Sequence, residues 1–406
     1  MIGVGIMGYG TVGSGVAEVL SMNRDSIAQK AGEVIEVRKI LDLRDFPGDV
    51  NESKLTKSFD ELLADDTIQI VVETMGGLHP AYDFVKQALE ADKHVVTSNK
   101  LLVAEKGAEL CKLAKAHGKN FFFEASVGGG IPVLWPLAEC LAGNEITDIF
   151  GILNGTTNFM LNQMIEKHMT FEDALALAQE LGYAERDPSA DVDGHDACRK
   201  ICILAALAFG RHIYPDSVYT EGLRNVTLDD VATAEAMDAV IKLIGRVHKE
   251  GDKVSIMVSP LVLDKSCLLS SVSGVFNAVQ VRGNAVGDVV FYGPGAGKLP
   301  TASAVVGDII DAAKHLDCHK SPVWEDAADG AVLPQEDSTC SFLLRLQGAS
   351  KEEVESAFGN VRFVCRPNAP AEELAFTTEI LSEKELNQKV NRISGALVSS
   401  LRIGNL

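Results

Sequence analysis

The six residues Gly8-Tyr9-Gly10-Thr11-Val12-Gly13 constrain this chain more than any others. They spell G-x-G-x-x-G between an apolar, strand-like run, Ile2–Met7, and a helix-like run, Thr11–Ser21. In that setting the first glycine allows a tight strand-to-helix turn, and the second lets a pyrophosphate approach the backbone. The third lets helix and strand pack closely, while the helix N-terminus offers N–H groups and the positive end of its dipole. The spacing alone is a weak signal, because glycine turns are common. Its position on the first strand of the chain, where a dinucleotide-binding fold requires it, makes it a strong one.

Strand-like runs recur at Val34–Leu41, Ile68–Glu73, His94–Thr97 and Asn120–Glu124, with helical patterns over Pro80–Ala91 and Leu101–His117. Short strands alternating with helices of roughly 10–15 residues indicate βαβ units and a parallel sheet. The chain is thus predicted to be α/β, opening with a Rossmann-type doubly wound dinucleotide-binding domain over 1–126. Asp42 stands at the end of the second strand, where a carboxylate accepts the ribose hydroxyls of NAD. Arg44 and Arg38 lie close by and could instead face the 2′-phosphate of NADP, so both forms of NAD(P) stay open.

Val127–Pro132 is rich in glycine and marks a hinge. Beyond it an α+β substrate-binding and dimerisation domain is predicted over 127–320, with the helix near 300–316 packing back on the first domain. Thr170 caps an amphipathic helix, Phe171–Leu181, whose first turn carries Glu172 and Asp173. The apolar stretch Ala197–Gly210 reads as a buried helix, Val254–Val262 and Val272–Val281 as strands, and Thr301–Leu316 as a helix. Ser321–Glu336, rich in Pro, Asp and Ala, reads as a linker. Residues 338–406 follow a β-α-β pattern and form a small α+β module.

Charge narrows the partners. Against 37 Lys and Arg stand 57 Asp and Glu, a net charge of −20. Such a surface repels phosphate backbones and anionic lipid, which argues against nucleic acid and membrane. The most apolar run, Ile201–Phe209, is far too short to span a bilayer. Eight dispersed cysteines with no C-x-x-C pair, and no basic, apolar leader after Met1, predict a reduced cytoplasmic protein. The expected partners are a small-molecule substrate and further copies of the chain, as a homodimer or homotetramer.

Two clusters carry chemistry. Thr97-Ser98-Asn99-Lys100 ends a strand, and ligands of a doubly wound sheet bind outside the carboxyl ends of its strands. Lys100 is therefore predicted to face the nicotinamide region, where it could hold a substrate oxygen or relay its proton. The second cluster is Gly182-Tyr183-Ala184-Glu185-Arg186-Asp187-Pro188, followed by Asp191, Asp193, Asp196 and Lys200. Asp196 and Lys200 stand four apart, on one face of a helix. Charges beside an apolar run need partners, which a substrate could supply. Carboxylates at Glu185 and Asp196 suit an ammonium group, and Lys200 suits an alcohol or aldehyde oxygen. A capped helix with a surface Asp–Lys pair explains the same residues equally well. Gly293-Pro294-Gly295-Ala296-Gly297 is a further glycine-rich approach to a helix, serving either as a cofactor contact or as a turn.

Gly151-Ile152-Leu153-Asn154-Gly155-Thr156-Thr157-Asn158-Phe159 resembles the signature of homoserine dehydrogenases. The Gly182–Asp187 run with Asp191, Asp196 and Lys200 is similar to that family's substrate loop and helix. The resemblance covers about three quarters of the chain. It implies NAD(P)-linked interconversion of L-homoserine and L-aspartate 4-semialdehyde, in the biosynthesis of threonine, methionine and isoleucine. Carried over residue by residue, it makes Lys200 the proton donor and acceptor, and Lys100 a second lysine at substrate and cofactor. Glu185, Asp196 and Asp191 become substrate carboxylates, joined by Tyr183 and Thr156. Cofactor contacts fall on Thr11, Val12, Thr74 and Gly297, adding to Gly8, Gly10, Gly13, Asp42 and Arg44 read from the glycine loop and the second strand.

The same resemblance implies a monovalent cation, sodium, at Glu124 with the backbone carbonyls of Val127, Gly129 and Ile131. The C-terminal module looks like a shortened ACT domain. Leu346-Gln347-Gly348-Ala349 stands where that fold usually has D-x-P-G, so feedback regulation and a bracing role are both open. Rival readings are a related amino-acid or semialdehyde dehydrogenase and a non-catalytic NAD(P)-sensing regulator.

Overall fold

The computed structural model describes residues 1–328 and 330–404. The chain divides into two compact units: Met1–Glu145 with Cys202–Pro215 and Phe291–Ala327, and Ile146–Ile201 with Asp216–Val290 and Ala328–Leu406.

The first unit is built on six strands: β1 (Ile2–Met7), β2 (Ile35–Leu41), β3 (Leu55–Thr56), β4 (Ile68–Glu73), β5 (His94–Thr97) and β6 (Phe121–Phe122). They lie in the order β3-β2-β1-β4-β5-β6, every pair parallel. This is the doubly wound order of a dinucleotide-binding sheet, with the strand order reversing between β1 and β4. All six residues of β1 are buried, as a strand covered on both faces must be. Ile2, Val4 and Ile6 pack with Val16 and Leu20 of helix Thr11–Met22. Helix Lys298–Lys314 closes the same core with Ala302, Val305, Val306 and Ile309. Gly15 permits that closeness: a Cβ there would meet the Lys298 backbone carbonyl at 2.9 Å.

Within the expected linker Ser321–Glu336 the chain passes from the first unit to the second after Ala327, and the part before that point is tied down. Trp324 is buried and its indole N–H donates to His212 at 3.0 Å, beside the short parallel pair Glu325–Asp326 and Arg211–His212. Of that expected linker, Asp329 lies outside the described residues.

The second unit holds one large sheet. Its strands run Gly287–Pro294 (residues 287–290 in this unit), Phe276–Gly283, Ile146–Ile152, Ala239–Glu250, Lys253–Asp264, Ala396–Ile403, Thr339–Gln347, Glu373–Thr377 and Arg362–Val364 in spatial order. Phe150, Ile152, Ile244, Met257 and Leu261 form an apolar layer on one face. On the opposite face Gly151 and Gly245 are direct neighbours across two strands, and a Cβ on Gly245 would meet Leu153 at 3.0 Å and Ile201 at 3.2 Å. Two missing side chains thus make the seat for helix His195–Phe209.

Within this sheet the last four strands and two helices, Lys351–Phe358 and Glu383–Val390, follow the order β-α-β-β-α-β. Three buried arginines anchor this module in its unit. Arg345 bonds Asp230 at 2.8 Å and Glu373 at 2.9 Å, and Arg366 bonds Asp229 and Glu373, each at 3.0 Å. Arg402 bonds Glu383 at 2.6 Å and also Ser259 and Glu221. The Arg345 guanidinium holds the Glu373 carboxyl below its ordinary pKa, so this acid stays ionised. Among the described residues no helix is long and apolar enough to cross a membrane.

Candidate active site

In the first unit the chemistry gathers at the carboxyl ends of β1, β2, β4 and β5. Gly8 follows β1 with φ +92, a conformation that favours glycine. Gly13 admits no side chain, since a Cβ would lie 1.9 Å from the Gly8 carbonyl oxygen. Gly10 has the opposite character: only Arg44 comes near its imagined Cβ, at 3.8 Å, leaving an open approach to the backbone. Helix Thr11–Met22 begins there without a side-chain cap and without an acid in its first turn. Its N–H groups and dipole therefore face outward to an anion. These residues fit the pyrophosphate of a nicotinamide dinucleotide. The Thr74 hydroxyl donates to the Gly8 carbonyl at 2.9 Å and so braces the loop from behind.

Asp42 ends β2 and accepts from the Tyr9 backbone N–H at 2.7 Å and from Arg44 at 3.0 and 2.8 Å. The Arg44 guanidinium holds this carboxyl well below the usual carboxylate range, although Arg44 itself is largely exposed. Arg38 lies elsewhere. Its neighbour Val37 pairs with Val4 in mid-strand, and its guanidinium meets Glu36 at 3.3 Å, away from the strand ends where a 2′-phosphate would sit.

Lys100 opens helix Lys100–Ala116, capped by Asn99, whose side chain accepts from Leu102 N–H at 3.1 Å. Asn99 in turn is held by Gly77 and, through Thr97, by the buried Glu73. Burial raises the pKa of Glu73.

The glycine hinge sits in this unit too. Gly128 and Gly129 have φ of +76 and +57, and a Cβ on Gly129 would collide with Gly295 at 2.4 Å. Gly130 donates to the Pro294 carbonyl at 3.0 Å, which brings the 293–297 glycine segment and Gly297 against the hinge. The Glu124 carboxylate accepts from the backbone N–H groups of Val133, Leu134 and Trp135 at 2.6, 2.9 and 2.7 Å. This carboxylate, expected beside the carbonyls of Val127, Gly129 and Ile131, thus caps a chain segment and keeps acceptor capacity on Oε2. Among the described residues no group of three or more His, Cys, Asp or Glu is arranged to hold a metal.

In the second unit the acids and the lysine converge. Strand Ile146–Ile152 ends in Leu153 and Asn154, and helix Gly155–Lys167 begins at once. Asn154 is its N-cap, accepting from Thr157 N–H at 2.8 Å. Opposite, Lys200 is only 7% exposed, with Nζ 2.7 Å from the Leu153 carbonyl and 2.8 Å from Asp196 Oδ2. Asp196 is 3% exposed. This is a buried ion pair one helical turn apart, in place of the alternative surface pair.

Asn154, which the sequence reading left without a role, joins the cluster. Its amide donates to Asp191 Oδ1 at 2.6 Å and to Asp196 Oδ2 at 2.9 Å. The available signal was its residue type, an N-cap former directly before a helix. Thr156 donates to the Tyr183 carbonyl at 2.8 Å, and Tyr183 packs edge-on against Phe159 at 5.0 Å, fixing the loop that carries Glu185. Glu185 is exposed, held through its backbone carbonyl by Gln179 at 3.0 Å.

Comparison with known proteins agrees with both halves. A family model described as the homoserine dehydrogenase NAD binding domain matches residues 8–124, and one described as homoserine dehydrogenase matches 132–310. A homoserine dehydrogenase of Neisseria gonorrhoeae is 41% identical over 355 residues, covering 85% of this chain and 82% of its own. The crystal structure of a homoserine dehydrogenase from Thiobacillus denitrificans superposes with a TM-score of 0.90 at 36% identity, covering 99% of this chain and 98% of its own. A hyperthermophilic archaeal homoserine dehydrogenase in complex with NADPH gives a TM-score of 0.66 at 33% identity, covering 77% and 97%. With a Rossmann sheet, a buried Asp–Lys pair and relatives of this identity and coverage, the chain belongs to the homoserine dehydrogenase family.

Proposed function

We propose that this NAD(P)-dependent oxidoreductase interconverts L-homoserine and L-aspartate 4-semialdehyde with Lys200 as the group that moves the proton. The observation that carries the assignment is the buried Lys200 Nζ, oriented by Asp196 Oδ2 at 2.8 Å and the Leu153 carbonyl at 2.7 Å. A bound nicotinamide supplies or accepts the hydride. In aldehyde reduction the Lys200 ammonium stabilises charge growing on the carbonyl oxygen and gives it a proton; in alcohol oxidation the neutral amine takes the hydroxyl proton back. Asp196 and Asp191 hold the amino-acid end of the substrate together with Glu185 and Thr156. Lys100 adds a second positive group toward the reacting oxygen, and Tyr183 shapes the loop.

The cofactor proposal assigns the pyrophosphate to Gly8, Gly10, Thr11, Val12 and Gly13, with Thr74 and Gly297 beside it. Asp42 and Arg44 meet the adenosine ribose. Sodium at the hinge would be held by Glu124 and the carbonyls of Val127, Gly129 and Ile131, and no chemical step runs through it. Domain assignments of 1–126, 127–320 and 338–406 complete the proposal, with the last as an ACT-like module.

The reaction places the enzyme in the route to threonine, methionine and isoleucine. Strand Gly287–Pro294, an edge of the large sheet with Tyr292 exposed, supports a dimer; sedimentation showing only monomer at assay concentration would remove it.

The test of function is NAD(P)H oxidation by the purified protein with aspartate semialdehyde, beside succinate semialdehyde and oxaloacetate. Turnover is expected with aspartate semialdehyde alone. Turnover with none of the three overturns the assignment. The same assay with added threonine tests the module as a regulator.

A further inference from the structure

The geometry points to Asn154 as the positioning residue that holds Asp191 and Asp196 in register with Lys200. Leu153 and Asn154 together form a two-residue clamp on one turn of helix His195–Phe209. The Leu153 carbonyl takes the lysine Nζ, and the Asn154 amide takes the aspartate four residues before it. The amide also reaches Asp191 Oδ1 at 2.6 Å, so one nitrogen bridges two carboxylates.

The orientation of this amide is fixed by chemistry. Its oxygen accepts from the Thr157 backbone N–H at 2.8 Å, a group that can only donate, and from the Thr157 hydroxyl at 2.9 Å. The NH₂ end must then face the acids, and all the hydrogen-bonding capacity of the side chain is used. Asn154 is buried, and the helix it caps starts tight against the turn at 274–275: a Cβ on Gly155 would lie 2.6 Å from the Val275 carbonyl oxygen. The clamp is therefore a two-residue connection held between the end of strand Ile146–Ile152 and a close-packed helix start.

Two consequences follow from like-charge repulsion. Without a donor between them, Asp191 and Asp196 would separate or take up a proton. Without the amide sharing its Oδ2, Asp196 would also bind the Lys200 ammonium more strongly, and the lysine would surrender its proton only at higher pH. Asn154 thus keeps the lysine usable as a base while holding the acids in place.

This inference rests on Lys200 being the proton carrier, and the experiment separates the two ideas. Homoserine oxidation is measured against pH for Asn154→Asp, Asn154→Ser and Lys200→Ala in the full-length enzyme, with thermal unfolding of each. Aspartate keeps the cap acceptor and the volume but reverses the donor; serine keeps a cap and cannot bridge both acids.

For both Asn154 variants we expect a folded enzyme with a lowered Tm, kcat/KM lowered at least about tenfold, and the rising limb of the pH profile displaced to alkaline pH, further for aspartate. A helix cap alone, which both variants retain, would leave kcat/KM and the pH limb where they were. Wild-type kcat/KM and pH limb in Asn154→Asp, with Lys200→Ala inactive, overturn this inference and leave the lysine assignment standing. Full activity in Lys200→Ala overturns both. Should either Asn154 variant fail to fold, the other decides.

Discussion

Lys200 and Asp196 face each other across 2.8 Å on successive turns of one helix, and both are almost wholly withdrawn from solvent. A buried ion pair costs more in desolvation than it returns unless further bonds satisfy it. Here those bonds come from Leu153 and Asn154. An arrangement that is costly for stability is what a site needs when it must hold a proton carrier. Lys200→Ala is expected to lower kcat by roughly 10²–10⁴-fold while leaving NADPH affinity unchanged. Lys200→Arg should not rescue it, because a guanidinium keeps its proton. Steady-state kinetics with a fluorescence titration of NADPH check this; more than a tenth of wild-type kcat in the alanine variant would contradict it.

Asp42 and Arg44 set opposing demands on the cofactor. Asp42 is tethered by Tyr9 and Arg44, and its carboxylate can accept ribose hydroxyls but repels a 2′-phosphate. Arg44, extended into solvent, can swing to that phosphate. Asp42→Ala should weaken NADH about tenfold or more and leave NADPH level or tighter; Arg44→Ala should weaken NADPH more than NADH. Equal losses for the two cofactors in either variant would show that the pair does not discriminate.

How far the sequence could be read differs between these elements. Helix Thr11–Met22 and strand Ile2–Met7 follow from local pattern, because a glycine turn and apolar periodicity act within a few residues. The Asp196–Lys200 pair was legible for the same reason: helical spacing alone brings them together. Strand Ala239–Glu250 was not. Lys242, Gly245 and Arg246 interrupt its apolar pattern, and each meets a partner distant in sequence, for Arg246 the Phe150 ring. Lys242 is satisfied by Asn158, 84 residues away, and Gly245 answers Gly151 in the neighbouring strand. The expected strand Val272–Val281 begins only at Phe276, because Gly274 turns the chain at φ +61. Asn154 escaped notice because its partners are 37 and 42 residues off.

The glycine loop yields a paired expectation. Gly13→Ala would drive a Cβ to 1.9 Å from the Gly8 carbonyl, so both stability and cofactor binding should fall, stability by at least about 2 kcal/mol. Gly10→Ala meets nothing nearer than 3.8 Å in the free protein, so Tm should hold while NAD(P)H binding weakens, its Cβ standing where the pyrophosphate approaches. Calorimetric titration and thermal unfolding of both variants check the contrast. Undiminished cofactor binding by Gly10→Ala would remove the loop from the binding site.

Lys242 offers a test through pH. It is buried, donating to Asn158 Oδ1 at 3.0 Å and to the Val272 carbonyl at 2.6 Å, and burial brings its pKa from 10.5 down to about 8. Between those values the unfolded chain holds a proton that the folded chain has released. Stability from this group therefore rises with pH from about 8 toward 10.5 and is lost as pH falls through about 8. In Lys242→Met that contribution disappears, along with both hydrogen bonds. The wild type should gain on the variant by at most about 1.4 kcal/mol per pH unit across the window, and the difference should be flat below pH 7. Urea unfolding at intervals from pH 6.5 to 10 measures it. Parallel curves for the two proteins throughout would mean that Lys242 keeps its proton in the folded state and that Asn158 and Val272 hold an ammonium at every pH tested.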